Sequence, residues 1–372
     1  MKIILLFLGW LFSFSLHAAP QYSASRSHDN NPQIIATYSI VAWDSLTGDL
    51  GVAVQSKFLS VGAVVPYAKA GIGAIATQAF ANTNYGPQGL SLLEIGQSPQ
   101  QVVAALTLND SNANQRQIGI IDAHGSSFAY TGSGCQSWAG HISGKGYSVQ
   151  GNILAGEGVV RAMAQAFETS SGELAERLLA SLDAGEAAGG DKRGRQSAAL
   201  LVVRDKGGYG GYNDRLVDIR VDDDSIPLTE LRRIYNLWSQ TFLLDARFRT
   251  IEQFKMNRNF VAAEEEMKRV VATLNTEVRN KPDDPEVLNN IAWTLATHNI
   301  DNAQALELAK RAVKLAPGKL NILDTMAECH FRLGHYDEAI AIEAELVTKD
   351  AANDTYWKQL QRFKEGKSKA GR

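Results

Sequence analysis

The sequence predicts two unlike halves, a layered α+β domain followed by an all-α domain of helical repeats. Between Thr37 and Val221, short apolar runs come first, then two helical patterns, then strands, helices and strands again. That order fits helices covering packed sheets and not the regular βα alternation of a doubly wound fold. After Pro227 the pattern is almost wholly helical, and it repeats at a spacing of 34 residues, Trp293 against Ala327 and Ala305 against Ala339. With 372 residues, 45% of them hydrophobic, the chain can bury two cores and is neither disordered nor fibrous. Its net charge of −3, with no long run of either sign, offers no basic face for nucleic acid.

The N-terminus reads as a secretory signal over residues 1–18. Lys2 supplies the positive start, Ile3 to Phe14 the apolar stretch, and Ala18 and Ala19 the small residues of a cleavage site. Cleavage after Ala18 is favoured, because a cut after Ala19 would leave Pro20 directly beyond the scissile bond. The expected location is periplasmic or secreted, without stable membrane insertion once the signal is removed; a retained anchor is the alternative. Residues 19–36 are polar and read as a linker or pro-segment. Cys135 and Cys329 fall in different halves, so they suggest no disulfide framework, and the histidines show no HExxH or comparable spacing. Neither a metal nor another cofactor is expected.

Each element has its own signal. Thr37-Tyr-Ser-Ile-Val-Ala-Trp43 and Leu50 to Ser56 flank a Gly48-Asp49 turn and predict a β-hairpin. Ser60 to Pro66 and Gly71 to Ala79 read as further strands. Helices are expected around Gly86–Ile95 and Pro99–Leu106, then strands at Arg116–Ile121, Ser126–Tyr130 and Tyr147–Gln150. Two more helices, Val159–Glu168 and Gly172–Leu182, precede strands at Ser197–Arg204 and Leu216–Val221. In the helical half, Ala309, Ala312 and Pro317 sit where a tetratricopeptide unit carries its packing alanines and terminal proline. Gly334 and Tyr336 surround the next inter-helix turn. The α+β domain is expected over residues 37–237 and the tetratricopeptide-like domain over 238–372.

Thr37 is the leading chemical candidate. A threonine heading a strand becomes a nucleophile if the peptide bond before it is cut, because its own α-amine, with a pKa of about 8, can then act as the base. Threonine is equally an ordinary strand residue. Around it stand the blocks Thr37-Tyr-Ser-Ile-Val-Ala-Trp-Asp44, Gly51-Val-Ala-Val-Gln-Ser-Lys57, Gln78-Ala-Phe-Ala-Asn82, Gln150-Gly-Asn-Ile-Leu-Ala-Gly156 and Gly189-Gly-Asp-Lys-Arg-Gly-Arg-Gln-Ser197. In this order they resemble the Ntn-hydrolase-like family catalogued as domain of unknown function 1028, over about Thr37 to Leu237. The resemblance implies a four-layer αββα sandwich and an N-terminal-nucleophile hydrolase, and it supplies no substrate. Thr37 here lies behind a signal and a linker, so a second cut, at Ala36–Thr37, is needed to expose it.

By the same resemblance, Lys69 stands at about the separation from Thr37 at which proteasome-type enzymes place the lysine that lowers the amine's pKa, with Lys57 as the rival cation. Asp191 either orders the nucleophile's amine or pairs with Arg193 or Arg195. Asn152 either donates to a tetrahedral oxyanion or fits a left-handed turn. Asn82 and Gln78 are further substrate-binding candidates. Asp222 to Asp224 read as a solvated turn, Gly207 to Gly211 as a β-connection, and His141 with Cys135 as packed strand residues. Two functions compete: an exported amidohydrolase acting on an unidentified amide or peptide bond, and a non-catalytic cell-envelope ligand-binding module. In both, the repeats offer a groove for a protein or peptide partner.

Overall fold

The computed structural model describes residues 37–371, which belong to one compact unit, Ile34–Arg372. The expected signal and linker lie outside the described residues. β1 (Thr37–Trp43) and β2 (Leu50–Ser56) form the expected hairpin, in register from Thr37 against Ser56 to Trp43 against Leu50. Asp44 shapes its turn, its Oδ1 accepting from the Leu46 amide at 2.8 Å. These strands are central in a six-stranded antiparallel sheet. Its outer members are β9 (Ser197–Val203) and β10 (Arg215–Val221) on one side, β8 (Tyr147–Asn152) and β7 (Gly140–Gly144) on the other, in the order β10-β9-β2-β1-β8-β7. A second sheet has the order β3-β4-β5-β6, from β3 (Pro66–Lys69), β4 (Gly73–Ala79), β5 (Arg116–Asp122) and β6 (Ser127–Thr131).

The period-two alternation of each strand divides its side chains between two cores. On β1, Tyr38, Ile40 and Ala42 pack with Met163 and Leu178 beneath α3 (Gly158–Thr169) and α4 (Leu174–Ala187). Val41 faces the other way, joining Val52, Val54, Ala74 and Ile121 between the sheets. Beyond the second sheet, Ile75, Ile118 and Ile120 pack against Leu93, Val102 and Val103 of α1 (Tyr85–Glu94) and α2 (Pro99–Leu108). The result is a four-layer αββα sandwich. One expected strand is corrected: Ser60 to Pro66 forms a 3₁₀ turn over Val61–Ala63, entered through Ser60 in the left-handed region (φ 54°), and the strand begins only at Pro66.

α5 (Pro227–Gln240) buries Leu228, Leu231 and Tyr235 against the six-stranded sheet, so the expected boundary after Leu237 falls inside a helix. The chain continues as α6 (Phe242–Met256), α7 (Phe260–Asn280), α8 (Pro285–Thr297), α9 (Asn302–Leu315), α10 (Leu320–Arg332), α11 (Tyr336–Lys349) and α12 (Asp354–Ala370). Ala292, Ala305, Ala309, Ala312, Ala327 and Ala339 are fully buried, which lets successive helices approach closely in a tetratricopeptide-like stack. No helix among the described residues is long and apolar enough to cross a membrane.

A buried ion cluster docks the stack on the sandwich. The Arg204 guanidinium, just beyond β9, meets Asp49 at 2.6 and 2.7 Å and Glu266 of α7 at 3.1 Å. Arg247 of α6 meets Glu173, at the start of α4, at 2.7 Å. Burial pushes the Asp49 carboxyl up against the pull of Arg204. Burial also raises Glu266, but Arg204, Arg247 and Arg269 outweigh it and hold its carboxyl below the ordinary value. Replacing Arg204 with Met strands the buried Asp49 carboxylate, while Glu266 keeps Arg269, so urea unfolding should show a loss of about 3 to 5 kcal/mol. A loss below about 1 kcal/mol, the range of an exposed pair, would remove the cluster as the domain clamp.

A second buried acid marks the repeats. Glu343 of α11 is fully buried, and no N–H or O–H of another residue reaches its carboxyl oxygens. Burial and the adjacent Asp324 of α10 push it up to about 8, and burial raises Asp324 as well, so the pair favours a retained proton. The folded chain thus keeps protons that the unfolded chain releases. Stability should fall as pH rises from the ordinary carboxylate range toward about 8, by about 1.4 kcal/mol per pH unit for each retained proton. Glu343→Gln should flatten that slope in denaturation curves recorded across pH; an unchanged slope would contradict it.

Candidate functional site

The N-terminal end of β1 lies in a row of four small polar residues. Asn152, Thr37, Ser56 and Ser197 are in register across β8, β1, β2 and β9, and all four are fully buried. The Thr37 and Ser56 hydroxyl oxygens are 3.1 Å apart. Gln78, on the facing sheet, sends its Nε2 toward the Thr37 carbonyl at 3.4 Å. The structure therefore brings together Thr37, Asn152 and Gln78 among the expected residues. Ser56, Asn152 and Gln78 carry a hydroxyl and two amides, and none of the three is a base.

A loop over residues 189–196 closes this end of the sheet. Gly189 and Gly190, with φ of 107° and 50°, turn the chain out of α4 in a conformation that side chains resist. The Gly190 carbonyl accepts from Ala155 N at 3.0 Å and Lys192 N donates to the Ile153 carbonyl at 2.9 Å, both just beyond β8. On the other side, Asp191 Oδ2 accepts from Lys57 N at 2.9 Å and Gln196 N donates to the Ser56 carbonyl at 3.0 Å. Because β1 lies between β2 and β8, a loop tied to the ends of both passes across the head of β1. Asp191, nearly fully buried, anchors the loop and also meets Arg193 Nη2 at 3.0 Å. The Lys57 ammonium is exposed and 3.4 Å from the Arg195 carbonyl.

Two expected residues lie elsewhere. Lys69 ends β3, paired in register with Gly73, whereas Gln78 is near the opposite end of β4. Its ammonium is half-exposed and joined to Glu94 at 2.6 Å. The edge strand of the second sheet thus carries Lys69 away from Thr37, and the chain separation that suggested it does not translate into proximity. Asn82 builds a turn at the other face of β4. Its Oδ1 accepts from Asn84 N at 3.1 Å and its carbonyl from Thr77 Oγ1 at 3.3 Å. It borders an open cavity of about 410 Å³ with Tyr85, Gln88 and Asp110.

Behind Thr37 the two sheets meet through amides instead of apolar side chains, a feature the sequence reading missed. Gln78 Nε2 donates to Gln117 Oε1 at 2.8 Å, Ser39 Oγ donates to Gln78 Oε1 at 2.6 Å, and Gln150 Nε2 donates to Ser39 Oγ at 2.6 Å. Gly119 makes room for this: a Cβ there would lie 2.1 Å from Gln150 Oε1. Gln117 Nε2 faces the Gly151 and Gly140 carbonyls at 2.8 and 3.1 Å and Thr131 Oγ1 at 2.9 Å. Carbonyls accept only, so they fix which end of Gln117 is the nitrogen. Gln117 Oε1 must then accept, and Asn152 Nδ2 donates to it at 3.0 Å. Asn152 thus spends one N–H of its amide on Gln117, and the oxyanion donation expected of it would fall to the other N–H; its Oδ1 is buried and without a partner. At the far end, Thr131 Oγ1 is 2.9 Å from His141 Nδ1, while Cys135 Sγ contacts the Arg116 carbonyl, so these two residues form no dyad.

The family described as "Family of unknown function (DUF1028)" matches residues 37–231, and a tetratricopeptide repeat family matches residues 298–362. A crystal structure of a protein from Silicibacter pomeroyi, assigned to the first family, is 32% identical. The match covers 56% of this chain and 92% of that one, with a TM-score of 0.52. A comparison with curated proteins found no match. The first match begins at Thr37, the residue that opens β1 and the polar row. With that match spanning more than half of its length, the chain belongs to the DUF1028 family and carries a tetratricopeptide-like region behind it.

Proposed function

We propose that the chain is an exported amidohydrolase whose nucleophile, Thr37, is created by cleavage of the Ala36–Thr37 bond. One observation carries the reading: Thr37 heads a central strand in a buried polar row, with a loop pinned across it, so a cut there would place a new amine in a bed of hydroxyls and amides. Thr37 Oγ would add to a substrate's amide carbonyl carbon while its proton moves to the α-amine. Collapse of the tetrahedral intermediate breaks the C–N bond, the proton leaves with the departing amine, and an ester remains on Thr37. Water then adds to the ester carbonyl, its proton passes by way of the α-amine to Thr37 Oγ as the acyl C–O bond breaks, and the acyl group leaves as a carboxylic acid. Ser56, 3.1 Å from Thr37 Oγ1, orients the nucleophile, and Asp191 holds the loop in place. Lys57 is the nearer of the two expected lysines, one residue beyond Ser56. The repeats hold a protein or peptide partner.

The alternative is a cell-envelope ligand-binding module, favoured by the complete burial of Thr37. Substitution separates the two. Against a panel of small amides and peptides, Thr37→Ala should abolish hydrolysis by the processed protein, by at least about 10³-fold, since the nucleophile is gone. Thr37→Ser should retain part of the activity. Lys69→Ala should change kcat/KM less than about 3-fold, because the loss of an exposed pair with Glu94 does not reach the site. Hydrolysis that survives Thr37→Ala would overturn the proposal, and ligand binding unaffected by it, without hydrolysis, would establish the alternative.

A further inference from the structure

The geometry points to Asn152 as the acceptor that receives the α-ammonium of Thr37, and to Gln117 as the residue that positions it. This inference rests on the reading of Thr37 as a processed N-terminus. It begins with the orphan oxygen: Asn152 is fully buried, one N–H of its amide goes to Gln117, and its Oδ1 has no partner.

The amide is not free to turn over. Exchanging its ends would set Asn152 Oδ1 against Gln117 Oε1, two acceptors face to face. Gln117 cannot turn to relieve that clash, because its nitrogen serves the carbonyls of Gly151 and Gly140. Nor can Gln78, whose nitrogen donates to the same Gln117 oxygen and faces the carbonyls of Gln150 and Thr37. A buried acceptor held in place by its neighbours calls for a donor. Asn152 and Thr37 are directly paired in register, so their side chains emerge on the same face of the sheet, between the sheets. A cut before Thr37 replaces one amide N–H at that position with up to three.

The consequence is a tuned base. Burial disfavours the charged amine and lowers its pKa, while an acceptor bonded to the ammonium raises it again. Asn152 is neutral, so it holds the amine without locking it in the charged form as a carboxylate would. Gln117 acts only through Asn152 and touches no reacting atom.

The test needs no substrate. The processed chain beginning at Thr37, or the same residues produced with an initiator Met that is trimmed away, would be labelled with ¹⁵N at threonine. Its N-terminal amine would be titrated by NMR, with acylation by acetic anhydride across pH as a second probe. Asn152→Asp, nearly isosteric, should raise the amine's pKa by about 1 to 3. Asn152→Leu should lower it. Gln117→Leu, which frees the Asn152 amide to rotate, should shift it in the same direction as Asn152→Leu. Ser39→Ala, in the same network but without a bond to Asn152, should affect unfolding and leave the amine's pKa within about 0.3, as expected of a purely structural role. A folded Asn152→Asp with an unchanged pKa, or an equal shift from Ser39→Ala, would overturn the assignment. Should Asn152→Asp not fold, Asn152→Ser decides in the same way, by a lower pKa or an unchanged one. An amine that responds to Asn152 in a protein that cleaves nothing would sink the hydrolase reading and leave this one standing.

Discussion

The direction of one amide, that of Gln117, organises the layer between the two sheets. Backbone carbonyls on β8 and β7 claim its nitrogen, which forces its oxygen to accept from both Gln78 and Asn152. From there the polarity runs on without choice: Gln78 offers its oxygen to Ser39, and Ser39 receives from Gln150. Val41, Val52, Val54 and Ile121 fill the rest of the space between the sheets, and apolar side chains could hold this end together too. Amides in a fixed order add a defined direction to every donor, at the risk that any unmatched group is costly. The unmatched group is Asn152 Oδ1, in register with Thr37.

The rest of the molecule holds this layer rigid. α3, α4 and α5 cover one sheet and α1 and α2 the other, and the loop over residues 189–196 is tied to the strands on both sides of β1. The helical stack is attached through Arg204 and Arg247, whose guanidiniums are buried in the contact with α6 and α7. Breaking such contacts leaves uncompensated charge, so the stack is built as part of the molecule and not as a loosely tethered module.

Much of this was legible from residue order. The β1–β2 hairpin was marked by two apolar runs about a Gly-Asp turn, and the repeats by alanines at a regular spacing, because both signals are local. Thr37 was found because it heads an apolar strand, and Asn152 and Gln78 because they stand in blocks that carry the family resemblance. Ser39, Gln117 and Gln150 were not singled out: each is a polar residue in an alternating strand, a position usually read as facing solvent. Only the pairing of two sheets turns those positions inward. Lys69 failed for a related reason, since chain separation says nothing of which sheet a strand joins. Arg204 and Glu266 are 62 residues apart and meet only through tertiary packing.

The account depends on Thr37 becoming the first residue of the mature chain. The most direct measurement is the intact mass and N-terminal sequence of the protein purified in its active form from its native compartment. The account predicts a chain that begins at Thr37. An active protein that retains Ala36, with its nucleophile still bound in a peptide and its base never formed, would contradict it.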